Sequence, residues 1–343
     1  MTQSSPAGNL LREILLAGAM IGILVLGLWA HTGSMPPLVV VESSSMIHDI
    51  DGEVGSIDAG DLILVKDSSF ESIVTFAEAS DSTDTSYGYD MHGMAGDVII
   101  YQKNGDAGTP IIHRAILRVE PSQTLTPDRT VTEEDNNTMH CPNGGTWDSN
   151  SMDQDGDLGT CVLTWNVPGT NVSDQEKITI HFDGINAGYY DCKRMAHANV
   201  EPFLVVWDWQ PKHAGIMTLG DNNQCSVDQG GLVVNGSSGV HSESGVAGPV
   251  RSEWLIGVAG GEIPWLGSVK LMVSGTEPTA NGDISPGTKF VPESSFYYLV
   301  TIIGGILLIP LVLERVLKKV MESSPEAYQI KLEQELFDHS SEE

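Results

Sequence analysis

The sequence is poor in basic residues. It contains 17 Lys and Arg against 46 Asp and Glu, which gives a formal net charge of −29 at pH 7 over 343 residues. A surface of this sign repels the phosphate backbone, so we expect no nucleic acid among the partners. The acidic balance suits a saline setting but does not indicate a reaction. The length allows roughly two domains.

Long apolar stretches are limited to two. They are ILLAGAMIGILVLGLWA (Ile14–Ala30) and FYYLVTIIGGILLIPLVL (Phe296–Leu313), each just long enough to cross a bilayer core. We predict transmembrane helices over residues 14–31 and 296–314. The alternative for the first is a cleaved secretory signal, but no A-x-A-like site follows it. The alternative for the second is a buried core helix, but that stretch is apolar all round and basic residues follow it.

Basic residues after the second stretch predict the membrane topology. Arg315, Lys318 and Lys319 follow it directly. Positive residues next to a span stay in the cytoplasm, so we expect the tail 315–343 to be cytoplasmic. Two spans then place residues 1–13 in the cytoplasm too, and everything between the spans outside. The sequence thus predicts a multi-pass protein of the cell membrane with one large exterior domain.

Cysteine is scarce, and all four cysteines lie between the two predicted spans. An even number in an exterior segment favours disulfide bonds, and four cysteines allow three pairings. Our hypothesis pairs Cys141 with Cys161 and Cys192 with Cys225. Three N-x-S/T sequons in the same segment also fit an exterior location.

Metal-binding patterns are lacking. No His/Cys spacing matches a zinc site. The acidic run DQDGDLG (Asp153–Gly159) resembles the start of a calcium loop, but Leu158 and Val162 stand where an EF-hand requires Gly and Glu. We therefore interpret this run as an acidic surface turn and predict neither a metal nor a cofactor.

Between the predicted spans, the chain consists of short β-type runs separated by Gly, Asp and Ser. Two of them, GDLILVK and GDVIIYQ, combine a Gly-Asp turn with a β-branched strand. We predict a mostly β domain in two parts, residues 32–120 and 201–273, the second closing with a strand in WLIGVAGGEIPWLGSVKLMV. A polar, cysteine-containing insertion over 121–200 separates the parts, and 274–295 form a linker.

A serine at a strand end is the first candidate for chemistry. The run PLVVVE stops at Ser43–Met46, although a serine run is more often a linker. Acyl transfer by serine requires a base, a group that orients the base, and donors for the oxyanion. His113 is a candidate base because it lies inside an apolar strand, and Asp221 and Asp228 follow a later strand. Each of these residues alone has an ordinary structural explanation.

Together and in this order, these residues resemble the type I signal peptidases, in the archaeal and eukaryotic branch that uses histidine. Five boxes occur in the family's order: Ser43–Met46, Gly60–Val65, Gly96–Ile100 with Ile111–Ala115, Gly220–Asp228, and the Gly-x-Ile-Pro segment at Gly261–Pro264. The resemblance implies an antiparallel β-sheet signal-peptidase catalytic core with a long insertion, flanked by N- and C-terminal transmembrane helices.

The resemblance also implies a role for each matched residue. Ser45 would be the nucleophile and His113 its general base. Asp228 would orient the imidazole, with Asp221 as a supporting carboxylate. The Ser43 hydroxyl and the Ser45 backbone N–H would form the oxyanion hole, since residues two apart on an extended chain point to the same side.

The chain departs from the family pattern at several positions. Ser44 replaces the Gly that usually separates the two serines, His48 replaces a Pro, and Leu219 replaces a Lys. The two aspartates are seven positions apart, one more than usual, so which of them faces the histidine stays open at this point.

The activity implied by the resemblance is that of a membrane-bound serine endopeptidase, a signal peptidase I that removes signal peptides from exported preproteins. Its partners would be these signal peptides, membrane lipid and the Sec translocon, with the substrate added as an extended strand above Met46. Activity would fall at acid pH because the base must be neutral. Two alternatives stay open: an inactive, peptidase-like membrane-anchored binding or surface protein, and a serine–lysine peptidase with Lys66 as base.

Overall fold

A computed structural model describes most of the chain. The described residues are 6–48, 52, 54–125, 146–148, 160–182, 204–223, 226–235, 237–244, 247–274 and 287–322. The chain divides into two compact units, residues 1–292 and 293–343. Cys161 is disulfide-bonded. The other three cysteines and the acidic run 153–159 lie outside the described residues, so the proposed pairing stays a prediction.

Four α-helices occur in the described residues, and two of them are long. They are α1 (Pro6–Thr32), α2 (Phe76–Ser80), α3 (Ser268–Val273) and α4 (Glu293–Glu322). Their apolar stretches Leu10–Thr32 and Glu293–Val316 are long enough to cross a membrane, and neither is packed into a core. Apolar helices at both predicted positions are therefore confirmed, and each could span a bilayer.

The strands of the first unit form one large sheet, one smaller sheet and a hairpin. The large sheet contains β1 (Gly33–Val40), β2 (Leu62–Lys66), β5 (Val98–Tyr101), β6 (Ile111–Leu125), β7 (Thr146–Asp148), β8 (Thr160–Asn166), β11 (Gly215–Leu219) and β14 (Leu255–Ile263). The smaller sheet contains β9 (Ile178–Phe182), β10 (Leu204–Trp209), β12 (Gly230–Asn235) and β13 (Ser237–Ser244), and the hairpin pairs β3 (Asp90–Met91) with β4 (Met94–Ala95).

Antiparallel pairing dominates, as predicted for a mostly β domain. The large sheet has the order β1-β2-β14-β5-β6-β8-β7, and β11 also pairs with β6. All of these pairs are antiparallel, whereas β10 and β13 of the smaller sheet run parallel. A mostly antiparallel β core with one apolar helix before it and one after it in sequence is therefore confirmed.

The core explains why the Gly-Asp runs become central strands. All four residues of β5 are buried, and β2 buries Ile63 and Val65 on one face. Val98 and Ile100 of β5 join these two residues and Met46 in one apolar cluster. Burial of each such side chain contributes about 1.5–3 kcal/mol, so the cluster holds the end of β1 firmly on the sheet.

The boundary predicted at residue 120 falls inside a strand. β6 continues to Leu125, and its second half pairs with β8, which belongs to the predicted insertion. Trp165 of β8 is fully buried in the same apolar cluster as Leu117 of β6. The described start of the insertion thus extends the large sheet.

The predicted closing strand occupies the first part of the run 254–273. β14 stops at Ile263 and is followed by the short helix α3. Pro264 cannot donate to a strand ladder, and Trp265 has a φ of 62°, which turns the chain away from the sheet. The predicted closing strand is therefore present as β14, and the rest of the run forms a turn and the short helix α3.

Candidate active site

Ser45 lies just beyond the end of edge strand β1. Backbone hydrogen bonds with residues 60 and 61 continue the pairing of β1 through Val41. The chain then turns at Ser43–Met46, where the Met46 side chain is 1% exposed and anchors the turn in the core. Ser44 does not have a positive φ, so its β carbon causes no backbone strain where the resemblance expects Gly.

The imidazole of His113 connects the serine to a carboxylate. His113 pairs with Ile99 of β5 and is 8% exposed. Its Nε2 lies 3.0 Å from Ser45 Oγ, and its Nδ1 lies 2.6 Å from Oδ2 of Asp228. With the proton on Nδ1, which the carboxylate favours, Nε2 accepts the hydroxyl proton of Ser45.

Asp228 is held by further donors. Its Oδ2 accepts hydrogen bonds from Thr218 Oγ1 at 2.7 Å and from the Tyr101 hydroxyl at 2.8 Å. Burial alone would raise the pKa of Asp228, but the charge of His113 and the hydrogen bonds from all three neighbours outweigh it and lower this pKa. Asp228 therefore stays ionised and fixes the ring of His113.

Asp221 contacts a different set of residues. Arg114 donates from Nε to Oδ1 at 2.9 Å and from Nη2 to Oδ2 at 2.7 Å. Nε2 of His48 lies 2.8 Å from the same Oδ2. Burial acts to raise the pKa of Asp221, but the Arg114 charge and the hydrogen bonds lower it overall. The structure thus brings Asp228, and not Asp221, to His113.

Arg114 is a site residue that the sequence did not single out. It is fully buried, and besides Asp221 its Nη1 donates to the carbonyls of Met91, Met94 and Gly96 at 2.7–3.0 Å. The guanidinium therefore joins the β3–β4 hairpin to the carboxylate. An arginine inside an apolar strand was the available indication, because a buried guanidinium requires a paired acid.

The turn that follows β11 packs directly on the serine turn. Asn222 donates its backbone N–H to the Ser45 carbonyl at 2.7 Å and its side-chain amide to the Ser44 carbonyl at 2.9 Å. A β carbon on Gly220 would lie 2.7 Å from the Ser45 carbonyl oxygen and 2.8 Å from Nε2 of His113. Only glycine allows this approach, so the turn sets the position of the serine relative to the histidine.

These groups open onto a cleft of about 380 Å³. The cleft is lined by residues 40–43 at the end of β1, by residues 109–112 at the start of β6, and by Ser45, His113 and Asp228. Met46 also borders it. Ser43 Oγ lies 3.1 Å from Ser45 Oγ. All residues predicted for the nucleophile, base, orienting acid and oxyanion hole therefore meet at one concave site.

Lys66 lies at the wrong end of its strand to serve as a base. Leu62, at the start of β2, pairs with Val40 near the serine turn, whereas Lys66 pairs with Gly33 at the start of β1. Four residues of strand separate the two positions, or about 13 Å. The geometry gives no support to the serine–lysine alternative.

The arrangement supplies what acyl transfer by a serine requires, namely a hydroxyl, a base in contact with it and an ionised acid that orients the base. Among the described residues, no group of three or more His, Cys, Asp or Glu is placed to hold a metal ion. Comparison with protein-family models, curated proteins and solved structures gives no match for this chain.

Proposed function

We propose that this chain is a membrane-bound serine endopeptidase of the signal-peptidase type. One observation carries the proposal: the continuous hydrogen-bonded series Ser45–His113–Asp228, with distances of 3.0 and 2.6 Å, opens onto a cleft. The resemblance of five boxes to type I signal peptidases supports the same reaction and the fold of their catalytic core.

The mechanism follows from the contacts. Ser45 Oγ attacks the scissile carbonyl while its proton moves to Nε2 of His113, and Asp228 stabilises the resulting imidazolium. The same histidine then protonates the leaving amine. The Ser43 hydroxyl and the Ser45 backbone N–H are the donors for the oxyanion, since both groups belong to the turn that borders the cleft.

The cleft suits a peptide in extended conformation. The backbone N–H and carbonyl of Val41 bond to residues 61 and 60, so by strand alternation those of Val40 and Glu42 point to the open edge of β1. A substrate strand that pairs with this edge passes between β1 and residues 109–112 and brings its scissile bond to Ser45.

The two apolar helices support a substrate that leaves a membrane. α1 ends at Thr32, directly before β1, so the nucleophile lies only thirteen residues beyond a candidate span. A signal peptide emerging from the translocon would present its C-terminal end near the exterior membrane surface, which is where this short distance from the span would place Ser45. We therefore propose exported preproteins as substrates, with membrane lipid and the Sec translocon as partners.

The test is cleavage of a model preprotein by the full chain in membranes. We expect Ser45→Ala and His113→Ala each to lower cleavage by about 10³-fold or more, since nucleophile and base act as a unit. Ser69→Ala and His181→Ala are matched controls, because both residues are exposed and lie outside the site, and they should retain full activity.

Two outcomes would contradict the proposal. Full cleavage by the His113→Ala variant would exclude the histidine mechanism. If the parent chain binds preproteins but cleaves none, the membrane-anchored binding protein is the better interpretation.

A further inference from the structure

The turn that carries Ser45 contains a second histidine–aspartate pair. His48 lies three positions after Ser45, and its Nε2 is 2.8 Å from Oδ2 of Asp221. The Asp221 side chain is 1% exposed and is fixed from the other side by Arg114, whereas that of His48 is 24% exposed. His48 thus connects the turn to a buried anchor that is separate from the Ser45–His113–Asp228 series.

The His48 ring is held by packing as well as by this hydrogen bond. A β carbon at Gly93, in the turn between β3 and β4, would lie 3.1 Å from both Cε1 and Nδ1 of His48. Arg114 also bonds the carbonyls of this hairpin. The ring therefore lies between the hairpin and Asp221, and Arg114 ties both of them to the sheet.

The contacts along the turn are arranged so that His48 fixes its far end. Before the serine, Val41 is paired with residues 60 and 61, and at the serine Asn222 bonds the carbonyls of Ser44 and Ser45. After the serine, Met46 is buried, and the His48–Asp221 contact closes the segment. Loss of that contact removes the hydrogen bond that joins the chain beyond Met46 to Asp221.

We propose that His48 is a positioning residue that holds Ser45 at attack distance from its base. The proposal rests on the proposed peptidase function for its catalytic consequence, although the structural part can be tested without activity. His48 acts through Asp221 and the turn and takes no part in the proton transfer itself. Its loss should therefore affect the reacting geometry more than substrate binding, because displacements near 1 Å at a reacting centre are costly.

The kinetic test compares His48→Ala with His48→Gln in the full chain, using the model preprotein. We expect His48→Ala to lower kcat by roughly 10- to 100-fold with little change in KM. Gln places an amide donor where Nε2 lies, so His48→Gln should recover most of the lost kcat. His181→Ala is the matched control and should leave both constants unchanged. An unchanged kcat in His48→Ala, or a loss confined to KM, would overturn the proposal.

Hydrogen exchange supplies a readout that needs no activity. Backbone amides of residues 43–48 should exchange about tenfold faster in His48→Ala than in the parent chain, because a hydrogen bond to an ionised group is lost. His181→Ala, which removes an exposed imidazole outside the site, should leave exchange in this segment unchanged. If the parent chain cleaves no preprotein, the peptidase function fails while the exchange result still decides the role of His48. Unaltered exchange in His48→Ala would refute that role.

Discussion

At the residue scale, two aspartates that follow the same strand have different partners. Asp228 contacts the imidazole, and Asp221 contacts Arg114 and His48. Both have a lowered pKa despite burial, so both are carboxylates at neutral pH. Their electrostatic surroundings nonetheless differ: in the proposed mechanism Asp228 stabilises the imidazolium of His113, whereas Asp221 neutralises a permanent buried cation.

This difference predicts different consequences for isosteric substitutions. Asp228→Asn should lower kcat by about 10³- to 10⁴-fold while the chain stays folded, because the amide no longer stabilises the imidazolium. Asp221→Asn leaves the Arg114 guanidinium without its acid and should cost about 3–5 kcal/mol of folding free energy. Preprotein cleavage and thermal unfolding, measured on both variants, check the prediction. Unfolding of Asp221→Asn at the same temperature as the parent chain would contradict the prediction.

The sequence predicted the residues of the proposed catalytic series but not those that contact Asp221. Ser45, His113 and Asp228 could be singled out because each lies in a short box whose neighbours also match. Arg114 lies in one of these boxes and His48 lies two positions after another, yet their contacts with Asp221 join segments more than a hundred positions apart along the chain. Since residue type and spacing do not encode such contacts, only the three-dimensional structure could decide between Asp221 and Asp228.

At the scale of elements, the turn after β11 determines the position of Ser45 relative to His113. Gly220 approaches both the Ser45 carbonyl and the His113 ring so closely that a methyl group would overlap them. We expect Gly220→Ala to displace the serine turn and to lower kcat by about 10²-fold or more. Gly108→Ala is a matched control, because a β carbon there meets no atom within 4 Å. Initial-rate measurements with the model preprotein would check this, and equal activity of the two variants would contradict it.

Sequence patterns predicted some elements better than others. The Gly-Asp runs predicted β2 and β5 because their apolar side chains fill a core on the pleated sheet, whereas the closing run 254–273 contains both β14 and the short helix α3. That segment is rich in apolar residues, but Pro264 and the positive φ of Trp265 end the ladder. Apolar content alone cannot distinguish a strand from the short helix α3, in which Val269 and Val273 are exposed.

At the scale of the whole molecule, one buried acid makes stability depend on pH near neutrality. Burial raises the pKa of Asp61 to about 7, and the charges of Asp58 and Glu262 add to this despite hydrogen bonds from Trp265 and Asp58. In the unfolded chain the same group releases its proton near pH 3.9. The folded state alone keeps the proton between these values, so the stability that Asp61 contributes is present at low pH and is lost as the pH rises through about 7.

We therefore expect the melting temperature of the first unit to fall between pH 4 and pH 7 more steeply in the parent chain than in Asp61→Asn, which cannot ionise. Asp221 and Asp228 have lowered pKa values, so they change the stability only below this pH range. Protonation of these carboxylates on acidification destabilises the fold there. Asp106→Asn, at an exposed position, should keep the slope of the parent chain. Identical slopes in the parent chain and Asp61→Asn would contradict the prediction.

Two apolar helices at opposite ends of the chain require both termini to lie on one side of a membrane if both helices span it. The first ends directly before β1 and the second begins at Glu293, so the whole β core lies between them in sequence. The basic residues after the second helix predict that the termini lie in the cytoplasm.

Cysteine labelling tests this topology. Ser69→Cys, at an exposed position of the β core, should react with a membrane-impermeant maleimide in intact cells, whereas Ser340→Cys should react only after permeabilisation. The parent chain measures the background from native cysteines, and labelling of both variants in intact cells would exclude two spans.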